Sequence, residues 1–252
     1  MILITIVLFI FWFFFVDYSI TVFPSVQPEM KNPKIVVFHV WPQNSWKEIV
    51  KKLVDSIISS GLYDQFSSFY IGTSGDGTIV DTGQTVMDYL EENYPDKKFK
   101  LLYATDYRTY ENTTINAAID LSRTIDETNI LYIHNKGTMN DRGGNYWIES
   151  MMTGVIENWR GCADLLDSGY LTAGINFSLL WDPMYSGNFW WSRSSHLAVA
   201  EKIYIKSNTN GAHSSRYPAE KVVLKQMQPG KHANIGRVFN NFNLMRHDFS
   251  RE

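Results

Sequence analysis

The 252-residue sequence predicts an α/β protein: a mostly parallel sheet flanked by helices and preceded by an N-terminal membrane helix. Three observations predict it. From Lys34 to Ile175, short β-branched runs alternate with segments of helical period, the order that builds a parallel sheet with helices on both faces. Hydrophobic residues make up 44% of the chain and charged residues 19%, enough apolar surface for a packed core and too little charge for a disordered tail. The apolar content is concentrated at the start, where Met1 to Val16 carries no charged side chain and one polar one, Thr5.

Each element follows from its pattern. Lys34 to Val40 is a continuous β-branched and aromatic run, as a strand buried on both faces requires. Trp46 to Ile58 places Ile49, Val50, Leu53, Val54, Ile57 and Ile58 on one helical face. Ser68 to Gly72 reads as a second strand, and Thr85 to Tyr94 as a helix stopped by Pro95. Phe99 to Ala104 is a third strand, and Asn112 to Thr124 a helix with Ile115, Ala118 and Ile119 on one side. Asn129 to His134 is a fourth strand, Tyr146 to Leu166 one long helix, and Leu171 to Ile175 a fifth strand. Beyond Ser194 the pattern becomes more helical and looped.

The first 23 residues reach the length of a spanning helix when Asp17 is tolerated near one end. A cleaved signal peptide is the alternative. It would lack a basic leader and an A-x-A-like cleavage site, since the run exits as Val16-Asp17-Tyr18-Ser19. The expected organisation is an anchor over 1–23, a proline-bearing stem over 24–33, a catalytic domain over 34–230 and a tail over 231–252. A net charge of −3 argues against a nucleic-acid partner, which calls for a basic face. A single cysteine, Cys162, excludes an intrachain disulfide and a multi-cysteine zinc site.

In open α/β sheets, ligands sit beyond the carboxyl ends of the strands. Those ends carry His39 and Trp41, then Gly72-Thr73-Ser74-Gly75-Asp76-Gly77, Thr105-Asp106, His134-Asn135-Lys136-Gly137, and Asn176. The Gly72–Gly77 stretch fails as a phosphate loop: no Gly-Lys-Ser/Thr follows, and Val80 stands where GxGxxG needs its third glycine. It remains open as a nucleotide contact or an ordinary loop. His134 suits a phosphate, a sugar hydroxyl or a metal, and Lys136 suits a diphosphate; a surface turn is the alternative. Ser186-Gly187-Asn188-Phe189-Trp190-Trp191 offers indole faces for sugar C–H faces and polar groups for hydroxyls, against the alternative of a core aromatic cluster.

The ordered blocks Tyr110-Glu111-x-Thr113-Thr114, Tyr132-x-His134-Asn135-Lys136-Gly137, the helix with Trp147, Met151, Met152 and Trp159, Gly174-x-Asn176, Ser186-Gly187-Asn188-Phe189-Trp190-Trp191 and Arg216-x-x-x-Glu220 resemble a family of GT-A-like glycosyltransferases. The resemblance covers Lys34 to Gln226. It implies a GT-A-like (Rossmann-type) fold, a nucleotide-sugar donor, and a hydroxyl acceptor on a glycan or glycoconjugate. Taken with the apolar N-terminal run, it leads to the expectation of a single-pass membrane protein with its domain in the lumen of the Golgi or another secretory compartment.

On that resemblance the donor side comprises His39, Gly72, Asp76, His134, Asn135, Lys136 and Gly137. The sugar and acceptor side comprises Glu111, Asn176, Ser186, Gly187, Asn188, Trp190, Trp191 and Arg216. Glu220, Asp182 and Asp106 are the candidates for deprotonating the acceptor, with Glu220 favoured because it falls in a family block. One departure concerns the metal. Many relatives carry Asp-x-Asp at the fourth strand end, where this chain has His134-Asn135-Lys136. Manganese or magnesium is therefore an open question, and Lys136 is a candidate substitute for its charge. A non-catalytic carbohydrate-binding protein is the alternative. A hydrolase is disfavoured, since no Gly-x-Ser-x-Gly or His-Glu-x-x-His occurs.

Overall fold

The computed structural model describes residues 32–135, 144–178, 183–208, 211–213, 217–226, 228 and 230–235. The expected anchor, nearly all of the stem and the tail from 236 lie outside the described residues. Among the described residues, no helix is long and apolar enough to cross a membrane.

The first half runs β1 (Lys34–Val40), α1 (Trp46–Ser59), β2 (Phe66–Ser74), α2 (Thr82–Asn93), β3 (Lys100–Thr105), α3 (Asn112–Ser122) and β4 (Asn129–His134). There follow α4 (Gly144–Met152), a π-helical turn (Thr153–Glu157), α5 (Trp159–Asp167), β5 (Thr172–Gly174), β6 (Phe177–Ser178), β7 (Met184–Tyr185) and β8 (Trp190–Arg193). The last described elements are α6 (Ser194–Ala198), β9 (Lys206–Asn208), β10 (Gly211–His213), α7 (Tyr217–Lys221) and β11 (His232–Asn234).

Seven strands form one sheet in the order β11-β5-β8-β4-β1-β2-β3. β3, β2, β1 and β4 pair in parallel, as do β5 and β11. β8 runs antiparallel to both of its neighbours, β4 and β5. The expected mostly parallel α/β sheet with flanking helices is therefore what the chain forms. β11 carries the sheet past the expected domain end at 230.

Alternation along the strands divides the core in two. Val36, Phe38 and Val40 of β1 join α1, α4 and α5 on one face. Ile35 and Val37 join α3, α6 and α7 on the other. The adjacent tryptophans obey the same rule. Trp191 packs with the first cluster and Trp190 with the second, where it stacks on Tyr132 at 4.9 Å. Two neighbouring indoles thus serve two faces of one strand.

The long helix expected over Tyr146–Leu166 is broken by the π turn. The Asn158 N–H donates to Thr153 O at 3.1 Å, and the register change releases nearby carbonyls. Val155 O takes the indole N–H of Trp191 at 2.8 Å, and Gly154 O takes the Cys162 thiol at 3.6 Å. Gly154 lies against Ile175: a Cβ there would stand 2.8 Å from its Cδ1. Cys162 is buried and its thiol is pushed far up by desolvation, which suits this inert role.

Candidate functional site

The carboxyl ends of β1, β2 and β4 meet in register: His39 opposes Gly72 on one side and His134 on the other. Both imidazoles lie on the α3 face of the sheet, by the same alternation that sends Ile35, Val37, Ile130 and Tyr132 there. Gly72 has no side chain because α3 leaves no room for one. A Cβ there would stand 2.3 Å from the Thr114 methyl and hydroxyl.

Glu111 stands at the start of α3 and is the hub of the site. Its Oε2 accepts from the Tyr132 hydroxyl at 3.2 Å and from Asn188 Nδ2. Its Oε1 lies 3.3 Å from His134 Nδ1. The other nitrogen of that ring, Nε2, donates to Gly187 O at 2.9 Å. With Nε2–H committed to a carbonyl, a bare Nδ1 would face a bare carboxylate oxygen. The contact is an ion pair when the ring carries its second proton. Burial, followed by the Glu111 charge and hydrogen bond, pushes the Tyr132 hydroxyl far above its usual range, so it remains a donor.

The Ser186–Asn188 segment is shaped for this hub. The Asn188 N–H donates to Tyr185 O at 2.9 Å, closing a four-residue turn whose third residue, Gly187, has φ of 96°. A Cβ on Gly187 would meet Met151 Sδ at 2.4 Å and Trp147 Nε1 at 2.7 Å. Asn188 is itself left-handed, with φ of 55°, and its amide is fully used: Nδ2 donates to Glu111, and Oδ1 accepts from the Trp190 indole at 2.7 Å.

His39 lies behind this network. The Ser74 hydroxyl donates to Tyr110 O at 2.9 Å, so it accepts from His39 Nε2–H at 3.5 Å, and Nδ1 accepts from Thr114 Oγ1 at 2.8 Å. That arrangement is the one a neutral ring makes; a charged ring would donate to both hydroxyls. Desolvation pulls the imidazole down to about 4, with nearby Glu111 and His134 opposing each other as smaller influences.

The rim is aromatic and cationic. Asn135 clamps the backbone of Trp41, its Oδ1 accepting from Trp41 N and its Nδ2 donating to Trp41 O, both at 2.8 Å. The Arg108 guanidinium sits between the Trp41 ring, 5.7 Å from its centroid, and the Tyr110 ring at 5.5 Å. Trp41, Arg108, Tyr110 and Trp147 are all partly exposed.

Several expected contacts are corrected by this geometry. Trp190 and Trp191 are both 0% exposed, so neither offers a face to a sugar. His39 and Gly72 are buried behind Thr114 and touch no ligand side. Asn188 is 0% exposed with both amide atoms committed, and the Asn135 amide is committed to Trp41. These residues build the site's frame, as do Ser186, Gly187 and the nearly buried His134 and Glu111.

Two acidic candidates are local braces. Asp106 accepts from the backbone N–H groups of Asp81 and Thr82 at the head of α2, which holds its carboxyl below the usual range. Asp76 folds its own loop, accepting from Thr78 and Gln43. Gly72 to Ser74 thereby close β2, and Gly75 to Gly77 form a loop stitched to the end of β3, through Gly75 N–H to Thr105 O and Gly77 N–H to Asp106 O. Glu220 lies half-buried in α7, which packs against α3 and β7. Asn176 is left-handed, with φ of 59°, beside β6. Lys136, Gly137, Asp182 and Arg216 lie outside the described residues.

Sequence reasoning passed over Arg108, which belongs to no recognisable pattern, and gave Tyr132 no role of its own within its block; only their neighbours across the sheet edge mark them. The described residues do not fit a divalent-metal centre. No three His, Cys, Asp or Glu groups cluster among them, and both nitrogens of His134 are engaged within the protein.

No curated protein matches the chain. A family model described as a domain of unknown function (DUF8361) matches residues 38–237, spanning every residue of this site. The chain belongs to that family.

Proposed function

We propose that the protein transfers a sugar from a nucleotide-sugar donor to a hydroxyl acceptor on a glycan or glycoconjugate, using a GT-A-like domain. The observation that carries this reading is a convergence. Glu111, His134 and Gly187-Asn188 come from three separate sequence blocks that together suggested a transferase, and they join in one buried network at the carboxyl edge of the sheet. A network of this kind fixes the floor of a cleft to the fraction of an ångström that positioning requires.

In this reading Glu111 positions the floor, since its oxygens are occupied by Tyr132, Asn188 and His134. Trp147, partly exposed beside Gly187, takes the stacking role first assigned to Trp190 and Trp191. Glu220 is the acceptor base, and Lys136 supplies charge to the departing diphosphate. The apolar N-terminal segment anchors the domain on the luminal side of a secretory membrane.

A thermal-shift screen of the full chain against nucleotide sugars, with and without manganese, tests the reading. Stabilisation by one donor class is expected. A melting temperature that no donor moves would count against it.

A further inference from the structure

We propose that Arg108 and Trp41 form an oxyanion site at the rim of the cleft, and that its occupant is a phosphate group. The geometry stands by itself; only the choice of phosphate rests on the transferase reading.

The argument begins with what Arg108 lacks. Among the described residues it makes no hydrogen bond and no ion pair, and its Nε is shut off from solvent without an acceptor. A buried donor left unmade is costly and uncommon. The Trp41 indole Nε1 is in the same condition. Two unsatisfied donors therefore belong to one pair of touching side chains, with the guanidinium carbon 5.7 Å from the Trp41 ring.

The pair is also held still. Tyr110 flanks the guanidinium on its own side at 5.5 Å, and the Trp41 backbone is clamped at N–H and C=O by the Asn135 amide. A cation fixed between two ring faces has lost its side-chain freedom before any ligand arrives, which favours recognition of a planar or tetrahedral oxyanion. The Asp76 carboxylate is within electrostatic reach of Arg108, but its Oδ1 accepts from Thr78 and Gln43 and it makes no ion pair with the guanidinium. The guanidinium thus makes no ion pair within the described residues, and indole N–H and guanidinium N–H are both donors, which suits an anion rather than a cation.

The test is isothermal titration of the full chain with inorganic pyrophosphate and, separately, with glucuronate. Expected is saturable one-to-one binding of pyrophosphate that weakens as salt is raised. Arg108→Gln should lower the affinity at least tenfold. Trp41→Phe, which keeps a ring for packing but removes the N–H, should lower it several-fold, and the exposed control Lys98→Gln should leave it unchanged. Preference for pyrophosphate over glucuronate identifies phosphate; the opposite preference refutes that choice and assigns the site to an acidic sugar. Absence of binding by either anion, or undiminished binding in Arg108→Gln, overturns the site. If Arg108→Gln fails to fold by circular dichroism, an undiminished affinity in Trp41→Phe overturns it instead. Anion binding by a protein that never consumes a nucleotide sugar would retire the transferase reading and leave this site standing.

Discussion

Glu111 offers the sharpest test of the frame. Its carboxylate accepts from the Tyr132 hydroxyl and Asn188 Nδ2 and faces His134 Nδ1 at 3.3 Å, all at a residue 9% exposed. Glu111→Ala strands three polar groups at once. Hydrogen bonds to a charged group contribute about 1.5–3 kcal/mol each, so losing two of them costs about 3–6 kcal/mol, before the His134 contact is counted. That is comparable to the whole stability of many domains, roughly 5–15 kcal/mol. Glu111→Gln behaves differently. Its Oε1 still accepts from Tyr132 and Asn188, and its Nε2–H can donate to a neutral His134 Nδ1, which keeps the Nε2–H bond to Gly187 O. The cost falls to about 2–3 kcal/mol, the difference between charged and neutral hydrogen bonds taken over the two bonds. Urea unfolding of the three proteins reads both numbers. An alanine variant within about 1 kcal/mol of wild type would refute the hub.

Three further outcomes follow from the same structure. Gly72→Ala should abolish folding or shift α3, because its Cβ would overlap Thr114 at 2.3 Å; pairing it with Thr114→Ser should recover part of the loss in a thermal melt. Trp191→Phe removes the donor to Val155 O in the π turn and should cost about 1–3 kcal/mol in urea, with amide exchange quickening at Thr153–Glu157. Acid should weaken the fold through His39. Its folded-state value of about 4 lies below the unfolded 6.5, so its contribution is complete above pH 6.5 and is lost as pH falls toward 4. The loss is about 3 kcal/mol at most, and His39→Asn should flatten the pH dependence of stability over that window.

The fold was legible where pattern alone determines structure. The buried run of β1 and the helical period of α1 needed no tertiary knowledge. β8 was not legible. It is a short strand of four residues whose two tryptophans left a sugar platform and a core cluster both open, and only the sheet order reveals that each indole has its own face to fill. The π turn was equally hidden, because Val155 and Ile156 continue the helical apolar period while the hydrogen-bond register changes beneath them. At the site, the blocks containing Glu111, His134 and Asn188, expected on two sides of a cleft, meet in one network. Their expected direct contact with ligand was misplaced for Asn188, because its short left-handed backbone and doubly used amide are set by long-range partners. Arg108 and Trp41 were missed as a pair, since 67 positions of sequence separate two side chains that meet only at the strand ends.

The central claim is sugar transfer from a nucleotide donor, and release of nucleoside diphosphate measures it most directly. The full chain is incubated with individual nucleotide sugars, with and without a glycan acceptor, and free nucleoside diphosphate is quantified. The account predicts slow release from one donor class, faster release with acceptor, and a marked loss of turnover in Glu220→Gln with donor binding retained. No release from any donor, with the wild-type protein folded, would contradict it.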